Sequence, residues 1–282
     1  MARPFRSVLY IPGSKERALE KARDLAADAI IFDLEDAVAP DEKVAARGTL
    51  ARFLTEGGFG QRVRIVRING LDTAWGRADA MAFAAHPGVD AVLVPKVNGP
   101  ADLDAVAAIT GALPLWAMME TAAGMLNAGA IAAHPRLAGM VMGTNDLAKE
   151  IGARFRPDRL PLMAGLGLCL LAAKAQGRVI VDGVYNAFRD DEGLRAECAQ
   201  GRDMGFDGKT LIHPAQLDIA NAVFAPSDED VALARRQIEA FDAAKARGEG
   251  VAVVDGRIVE NLHIVTAKAT LEKAEAIAAL AL

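Results

Sequence analysis

Two acidic residues, Glu120 and Asp146, stand just beyond two short apolar runs that follow each other along the chain. The runs are "LPLWAMM" (113–119) and "GMVMG" (139–143), so both carboxylates are expected at neighbouring strand tips. Two carboxylates at neighbouring strand tips repel each other when both are charged. A divalent cation bound between them removes this repulsion. Because Mg²⁺ commonly takes one or two protein carboxylates, the pair predicts a magnesium site, with Mn²⁺ as the alternative ion. Each residue alone also fits a simpler role: Asp146 a helix N-cap, Glu120 a surface acid at a loop start.

Three further carboxylates stand at the end of another apolar run, "AIIFDL" (29–34), in the stretch "DLED" (33–36). Strand alternation is expected to send Asp33 and Glu35 to one side and Asp36 to the other. Arg67 lies between apolar residues in "IVRIN", where a cation needs an anion nearby. We expect the acids to hold metal waters or orient Arg67, and Arg67 to neutralise them and bind substrate oxygens. An acidic surface loop and a purely structural ion pair are the alternatives.

The segment "YIPGSKERALEK" has a Pro-Gly turn followed by a basic helix start. Ser14 is expected to cap the helix, and Lys15, Arg17 and Lys21 follow it. A helix N-terminus with nearby bases suits phosphate, although the GxxxxGK[ST] pattern of a P-loop is absent. On these residues alone, a capped and solvated helix is the favoured interpretation.

These residues can form one site only if secondary-structure elements bring them together. The sequence contains eight short apolar runs that could be such elements. They cover residues 7–11, 29–34, 64–68, 91–95, 113–119, 139–143, 179–183 and 208–212. Continuous apolar runs of this length fit parallel strands buried on both faces, and amphipathic segments lie between them. The alternation predicts an α/β protein with a (β/α)₈ TIM barrel. A doubly wound open sheet is the alternative.

Polar residues end most of these runs, and a barrel would collect them around one mouth. They are Arg67, Asn69, Lys96, Glu120, Asn145, Asp146, Asp182 and His213.

The chain beyond the eighth run has a different pattern. A helical stretch is broken at Pro226, after which Ser227 is expected to cap a new helix. Residues 251–260 predict a hairpin with Asp255-Gly256 at its turn, and a last helix starting near Thr266 closes the chain. We therefore predict a barrel over 1–223 and a C-terminal helical and hairpin extension over 224–282.

Bulk composition excludes several classes of protein. The 282 residues are 52% apolar with a net charge of -5, and no basic stripe suggests a nucleic-acid partner. No uncharged apolar run reaches the roughly 18 residues of a membrane span, and the N-terminus does not resemble a signal peptide. Cys169 and Cys198 lack CxxC spacing, which predicts buried free thiols in a reducing cytoplasm.

Seven motifs, taken together, resemble those of the citrate lyase β-subunit-like branch of the HpcH/HpaI aldolase family. They are "RSVLYIPGS", "DLEDAVAPDEK", "VRING", "VPKV", "METAAG", "GTNDLA" and "IHPAQ", in order along the whole chain. The resemblance implies a Mg²⁺-dependent barrel acting on short 3-hydroxyacyl-CoA thioesters. It also implies a homo-oligomer, a trimer or hexamer, whose C-terminal segment forms a lid over a neighbour's active site.

The resemblance also implies roles for individual residues. Glu120 and Asp146 match the family's metal ligands, and Arg67 matches the arginine that contacts substrate oxygens. Positions matching substrate or CoA contacts are Tyr10, Lys15, Lys21, Asn145, Asp146, Ile212 and His213. One position departs from the pattern: lyases of this branch carry Asp in the lid, where this chain has Glu260.

The activity implied is that of the thioesterase members of this branch, hydrolysis of (3S)-malyl-CoA to (S)-malate and CoA. Arg67, Glu35, Asp36 and Glu260 are the expected catalytic residues, with Glu260 of a neighbouring chain as the candidate base. A malyl-CoA, β-methylmalyl-CoA or citramalyl-CoA lyase is one alternative. A citrate lyase β-type subunit that acts on an acyl-carrier protein is the second. A catalytically silent CoA-binding barrel is the third, and the intact Glu120, Asp146 and Arg67 argue against it.

Overall fold

A computed structural model describes residues 3–280 of the chain. Eight parallel strands close into a barrel in sequence order, which confirms the predicted fold and excludes the open sheet. The strands are β1 Ser7–Pro12, β2 Ala29–Asp33, β3 Val63–Arg67, β4 Ala91–Val94, β5 Leu115–Met119, β6 Leu137–Met142, β7 Val179–Asp182 and β8 Gly208–Leu211. Each overlaps one of the eight apolar runs.

One face of the strands fills the barrel with apolar side chains. Alternate residues point to the same face of a strand, and the packed set includes Val8 and Ile31 from the first two strands and Ile65 from the third. Seven of the eight strands contribute to this cluster, with Trp116 and Met118 as its largest members from β5. The interior is therefore a packed core rather than a pore.

Helices follow the barrel strands along the chain. Within the described residues they are α1 Glu16–Ala22, α2 Lys43–Glu56, α3 Gly76–Phe83, α4 Pro100–Thr110, α5 Ala122–Leu126, α6 Ala128–Ala132, α7 Thr144–Glu150, α8 Met163–Ala175, α9 Asp191–Met204 and α10 Leu217–Phe224. The expected cap at Ser14 is wrong: α1 has Lys15 at its N-cap position, without a side-chain cap. The Ser14 hydroxyl is buried and makes no hydrogen bond, so it cannot accept from the first turn.

The described chain divides into two compact units, with residues 5–221 in the barrel unit and residues 3–4 and 222–280 in the other. The second unit contains α11 Asp228–Ala246, the strands β9 Ala252–Val254 and β10 Arg257–Val259, and α12 Asn261–Ala279. Its small core packs the hairpin against both helices through Val254, Val259 and Ile264.

Three local features of this unit were predicted, and one differs. Ser227 caps α11 by accepting from the Asp230 N–H at 3.1 Å, and Asp255 and Gly256 take positive φ values of 52° and 73° at the hairpin turn. The last helix starts at Asn261 rather than near Thr266. The reason is that the Glu260 N–H donates to Nδ1 of His263 at 3.0 Å, which closes the helix start directly after the hairpin.

Both cysteines are free and buried, as predicted. Among the described residues, no helix is both long and apolar enough to cross a bilayer.

Candidate active site

A polar layer lies directly above the apolar filling of the barrel. Side chains two positions apart on a strand point the same way, so the residue two positions after a core residue also faces the barrel interior. This places Tyr10, Asp33, Arg67 and Glu120 in the polar layer. These side chains line a cavity of about 280 Å³ at the carboxyl ends of the strands. The other lining residues are Asp36, Ala37, Met118, Met142, Gly143, Thr144, Asn145, Asp146, Val184, Asn186 and Ile212.

Arg67 is the cationic centre of this layer. Register places it beside Asp33 on the neighbouring strand, and the two form a bidentate pair, Nε to Oδ1 at 2.7 Å and Nη2 to Oδ2 at 2.6 Å. Burial alone raises the pKa of the Asp33 carboxyl, but the Arg67 charge and its hydrogen bonds outweigh burial and lower that pKa below its ordinary value. This bidentate pair fixes the planar Arg67 guanidinium, here called the fork, in one orientation. The centroid of the Tyr10 ring lies 5.0 Å from the guanidinium carbon.

The third nitrogen of the fork, Nη1, faces two more acids. Glu35 Oε2 lies 2.9 Å away as an ion pair without hydrogen-bond alignment, and Asp36 Oδ2 accepts from Nη1 at 3.3 Å. Burial and the Asp36 carboxylate raise the pKa of Glu35 to about 7, although the Arg67 charge lowers it. The expectation that Asp36 faces the other side is wrong, because β2 ends at Asp33 and strand alternation does not extend into the loop.

Glu120 follows directly after β5 and is buried. Its Oε1 accepts from the Lys96 N–H at 2.8 Å, whereas Oε2 is buried without any hydrogen-bond partner. Burial, with the charges of Glu35 and Asp146, raises the pKa of Glu120 to about 8. An orphaned carboxylate oxygen in this position costs free energy unless a proton or a cation satisfies it.

Asp146 lies in the first turn of α7, half-buried, and lines the same cavity. The helix-cap alternative does not hold, because Gly143 is the N-cap residue of α7 and no side chain caps it. Residues 3–280 contain no group of three or more His, Cys, Asp or Glu arranged to hold a metal. Two carboxylates with one unsatisfied oxygen fit a hard cation that keeps part of its shell for water and substrate oxygens.

Two amide side chains close one side of the cavity. Asn145 and Asn186 exchange hydrogen bonds at 3.2 Å and 2.8 Å, which ties the start of α7 to the loop after β7. Asn145 was expected here, whereas Asn186 was missed. Its position in "DGVYNAF", four residues beyond Asp182, was the sequence signal that could have found it, because that run ends at the mouth.

Of four other expected residues, one lines the cavity and three do not. Ile212 lines the cavity and is 41% exposed. His213 is exposed, and its ring stacks on Phe188 with 4.7 Å between centroids. Lys15, at the N-cap of α1, and Lys21, in its last turn, are exposed and do not line the cavity. These positions suit contacts to a long ligand outside the cavity rather than to the reacting atoms.

Asp182 was expected at the mouth but lies elsewhere. It is fully buried and contacts Arg159 Nη1 at 2.7 Å and Lys209 Nζ at 3.1 Å. Val181 belongs to the barrel filling, so alternation turns Asp182 outward toward the helices. The Asp182 carboxylate is neutralised by these two buried cations, so it has a structural role and does not line the cavity.

Comparison with known proteins gives one family and several relatives. The HpcH/HpaI aldolase/citrate lyase family model matches residues 6–214. A (3S)-malyl-CoA thioesterase of Cereibacter sphaeroides (strain KD131 / KCTC 12085) is 74% identical over 99% of this chain and 97% of that protein. An L-malyl-CoA/beta-methylmalyl-CoA lyase of the same strain is 36% identical, with the same coverage of both chains.

A solved structure also resembles the whole chain. The protein CitE from Mycobacterium tuberculosis, in complex with magnesium, acetoacetate and coenzyme A, has a TM-score of 0.81 and 31% identity over 97% of this chain and 98% of that chain. A second structure, RipC from Yersinia pestis, has a TM-score of 0.70 and 29% identity over 80% of this chain and 97% of that one.

Proposed function

The chain belongs to the HpcH/HpaI aldolase/citrate lyase family, and from that premise we propose that it is a thioesterase that hydrolyses (3S)-malyl-CoA to (S)-malate and coenzyme A. One observation supports it most directly: a small cavity is lined by a fixed guanidinium and by two carboxylates. At about 280 Å³ the cavity suits the four-carbon acyl end and leaves the CoA outside. The 74% identity to a thioesterase extends over nearly the entire chain.

Glu120 and Asp146 would hold Mg²⁺. When bound, this ion neutralises carboxylate charge and draws electron density from the substrate oxygens it contacts. The chain's own contribution is to keep both carboxylates directed at one cavity and to leave one Glu120 oxygen free of other partners. A metal inserted there removes the cost of the buried charge, so binding and folding support each other.

Arg67 would stabilise the negative charge that develops on the thioester oxygen when water attacks. Its orientation is set in advance by Asp33, while Glu35 and Asp36 hold the remaining nitrogen. A donor fixed before the reaction needs no reorganisation in the transition state, and removing such a donor costs about a hundred- to a thousandfold in rate. The Tyr10 phenol, whose pKa is raised by burial, stays protonated beside it.

The CoA portion would extend out of the mouth toward exposed residues. Lys15 and Lys21 offer ammonium groups for its phosphates, and Ile212 and His213 offer a partly apolar surface. Such contacts bind substrate and transition state equally, so they govern KM more than kcat.

The hydrolytic water needs a base, and we propose Glu260 of a neighbouring chain in a trimer or hexamer. Glu260 is exposed at the N-terminal boundary of α12, directly after the hairpin. The same segment exposes large apolar side chains, Val253 at 66%, Ile258 at 61% and Leu262 at 72%. Exposed apolar groups clustered on one short segment suit a contact between subunits.

Mixing two inactive variants tests this arrangement. Glu260→Ala and Arg67→Ala homo-oligomers are each expected to have low activity. Mixed oligomers should regain activity, because about a quarter of the sites then combine intact Arg67 with an intact neighbouring Glu260. Subunit exchange is verified by native mass spectrometry. Unchanged low activity in verified mixtures would overturn the contribution of Glu260 from a neighbour.

A lyase is the alternative function, and it would use the same groups. The 36% identity to a malyl-CoA lyase supports testing it. In that reaction Arg67 would stabilise a CoA enolate instead. Mass-spectrometric analysis of the products formed from malyl-CoA and Mg²⁺ separates the two. We expect free malate and CoA in equal amounts. Glyoxylate and acetyl-CoA as the main products would establish a lyase. Turnover that appears only when an acyl-carrier protein is added would establish the carrier-dependent subunit.

A further inference from the structure

Lys96 has a backbone conformation that is unusual for its residue type. Its φ is +50°, and only Arg159 and Asp255 share a positive φ among the other non-glycine residues of the described chain. Asp255 sits at a hairpin turn, where this conformation is expected. Lys96 instead follows β4 at the edge of the active-site layer. Conformations of this kind persist where surrounding structure holds them in place, and they cluster at functional sites.

The chain on both sides of Lys96 is anchored. Val94 pairs with Ala117 in the sheet, and the Val97 N–H donates to the Met118 carbonyl oxygen at 3.4 Å. Pro95 has no N–H, so Lys96 carries the first backbone donor available after the strand. That donor reaches Glu120 Oε1 at 2.8 Å. The left-handed conformation is what lets the chain return to its anchor at Val97 while this amide faces the carboxylate.

Glu120 is confined from its other side by Gly143. A Cβ atom at Gly143 would stand 2.3 Å from Glu120 Cβ and 2.7 Å from Oε2, so only glycine fits there. Oε1 already accepts from the Lys96 N–H, whereas Oε2 is buried without a hydrogen-bond partner, so Oε2 is the oxygen that most needs a cation.

We propose that Lys96 is a positioning residue whose left-handed backbone fixes Glu120 for cation binding, and that its ammonium group is dispensable for this. The inference rests on the proposed magnesium site. The Lys96 side chain is 57% exposed, and its Nζ lies 3.8 Å from Glu35 Oε1. Glu35 is largely buried, but the Lys96 side chain stays more than half exposed and its ammonium makes no close contact with the carboxylate, so the pair contributes little. The amide, in contrast, donates to a buried carboxylate.

Three substitutions separate the backbone from the side chain. Lys96→Gly, Lys96→Asn and Lys96→Val all remove the ammonium. Glycine adopts a positive φ freely and asparagine tolerates it, whereas a β-branched residue strongly resists it. The measurement is the dissociation constant of Mg²⁺ alone, by titration calorimetry on the substrate-free full-length protein, with kcat and KM determined in parallel.

We expect the Gly and Asn variants to bind Mg²⁺ within about fivefold of the unsubstituted protein. The Val variant should bind about 10- to 100-fold more weakly, as for other losses of a group that orients a metal ligand. Its kcat should fall at sub-saturating Mg²⁺ and recover at high Mg²⁺. A merely structural role would lower the unfolding temperature and leave the Mg²⁺ affinity of the folded protein unchanged.

Gly143→Ala serves as the positive control, since it displaces Glu120 directly and must also weaken Mg²⁺ binding. If Lys96→Val does not fold, Lys96→Thr, which is also β-branched, replaces it. Val or Thr variants that bind Mg²⁺ as tightly as the unsubstituted protein would overturn the proposal. Equal weakening in the Gly and Val variants would also overturn it and assign the role to the ammonium. An unsubstituted protein that binds no Mg²⁺ would instead refute the metal site itself.

Discussion

Replacing Glu120 with glutamine is expected to reduce kcat at least about a hundredfold while the barrel stays folded. Glutamine has nearly the same shape, and its carbonyl oxygen can still accept from the Lys96 N–H. The charge that would hold Mg²⁺ is lost, however, and the buried Oε2 position no longer offers an anionic ligand. Asp146→Asn should behave in the same way, because the second carboxylate of the pair is then absent.

Thermal unfolding provides a readout that does not depend on turnover. A ligand that binds only the folded protein raises its unfolding temperature, so Mg²⁺ should stabilise the unsubstituted protein and have little effect on Glu120→Gln. Glu150→Gln is the matched control, since Glu150 is exposed at the far end of α7. It should leave both activity and the Mg²⁺ effect unchanged. Near-normal turnover of Glu120→Gln in EDTA would show that the metal assignment is wrong.

Arg67→Lys is expected to lower kcat by about a hundred- to a thousandfold even though the positive charge is kept. The guanidinium uses Nε and Nη2 on Asp33 and still has Nη1 for Glu35 and Asp36. A lysine has a single ammonium on a flexible stem and cannot make this bidentate pair while also facing the other acids. The donor for the thioester oxygen is then misplaced, and a displacement near 1 Å is enough for a loss of this size.

The strand that carries Arg67 also provides a matched control. Arg64 forms a similar two-pronged pair with Asp90, Nε to Oδ2 at 3.0 Å and Nη2 to Oδ1 at 2.9 Å, on the partly exposed side of β3. Arg64→Lys should retain activity within about twofold, since surface ion pairs contribute little. Assays run well below both unfolding temperatures keep stability separate from catalysis. A normal rate for Arg67→Lys would reduce Arg67 to a structural ion pair.

The sequence by itself determined the barrel fold and the main charged residues at the carboxyl ends of its strands. Eight short apolar runs separated by amphipathic segments define parallel strands, and closing them brings their carboxyl ends together. That is why the sequence alone predicts that Arg67, Glu120 and Asp146 share one site, and all three line the same cavity. The hairpin was equally determined, because an Asp-Gly pair accepts the positive φ values that its turn requires.

The tertiary structure decided where the loop side chains point. Asp36 turns to Arg67, 31 residues away in sequence, because β2 ends at Asp33 and ion pairing then replaces strand alternation. Lys96 takes a left-handed conformation because its amide reaches Glu120, 24 residues further along. Local periodicity fixes side-chain direction only while a strand keeps its ladder hydrogen bonds. Beyond the last ladder bond, direction depends on which distant group satisfies a buried charge or donor, and spacing along the chain does not contain that information.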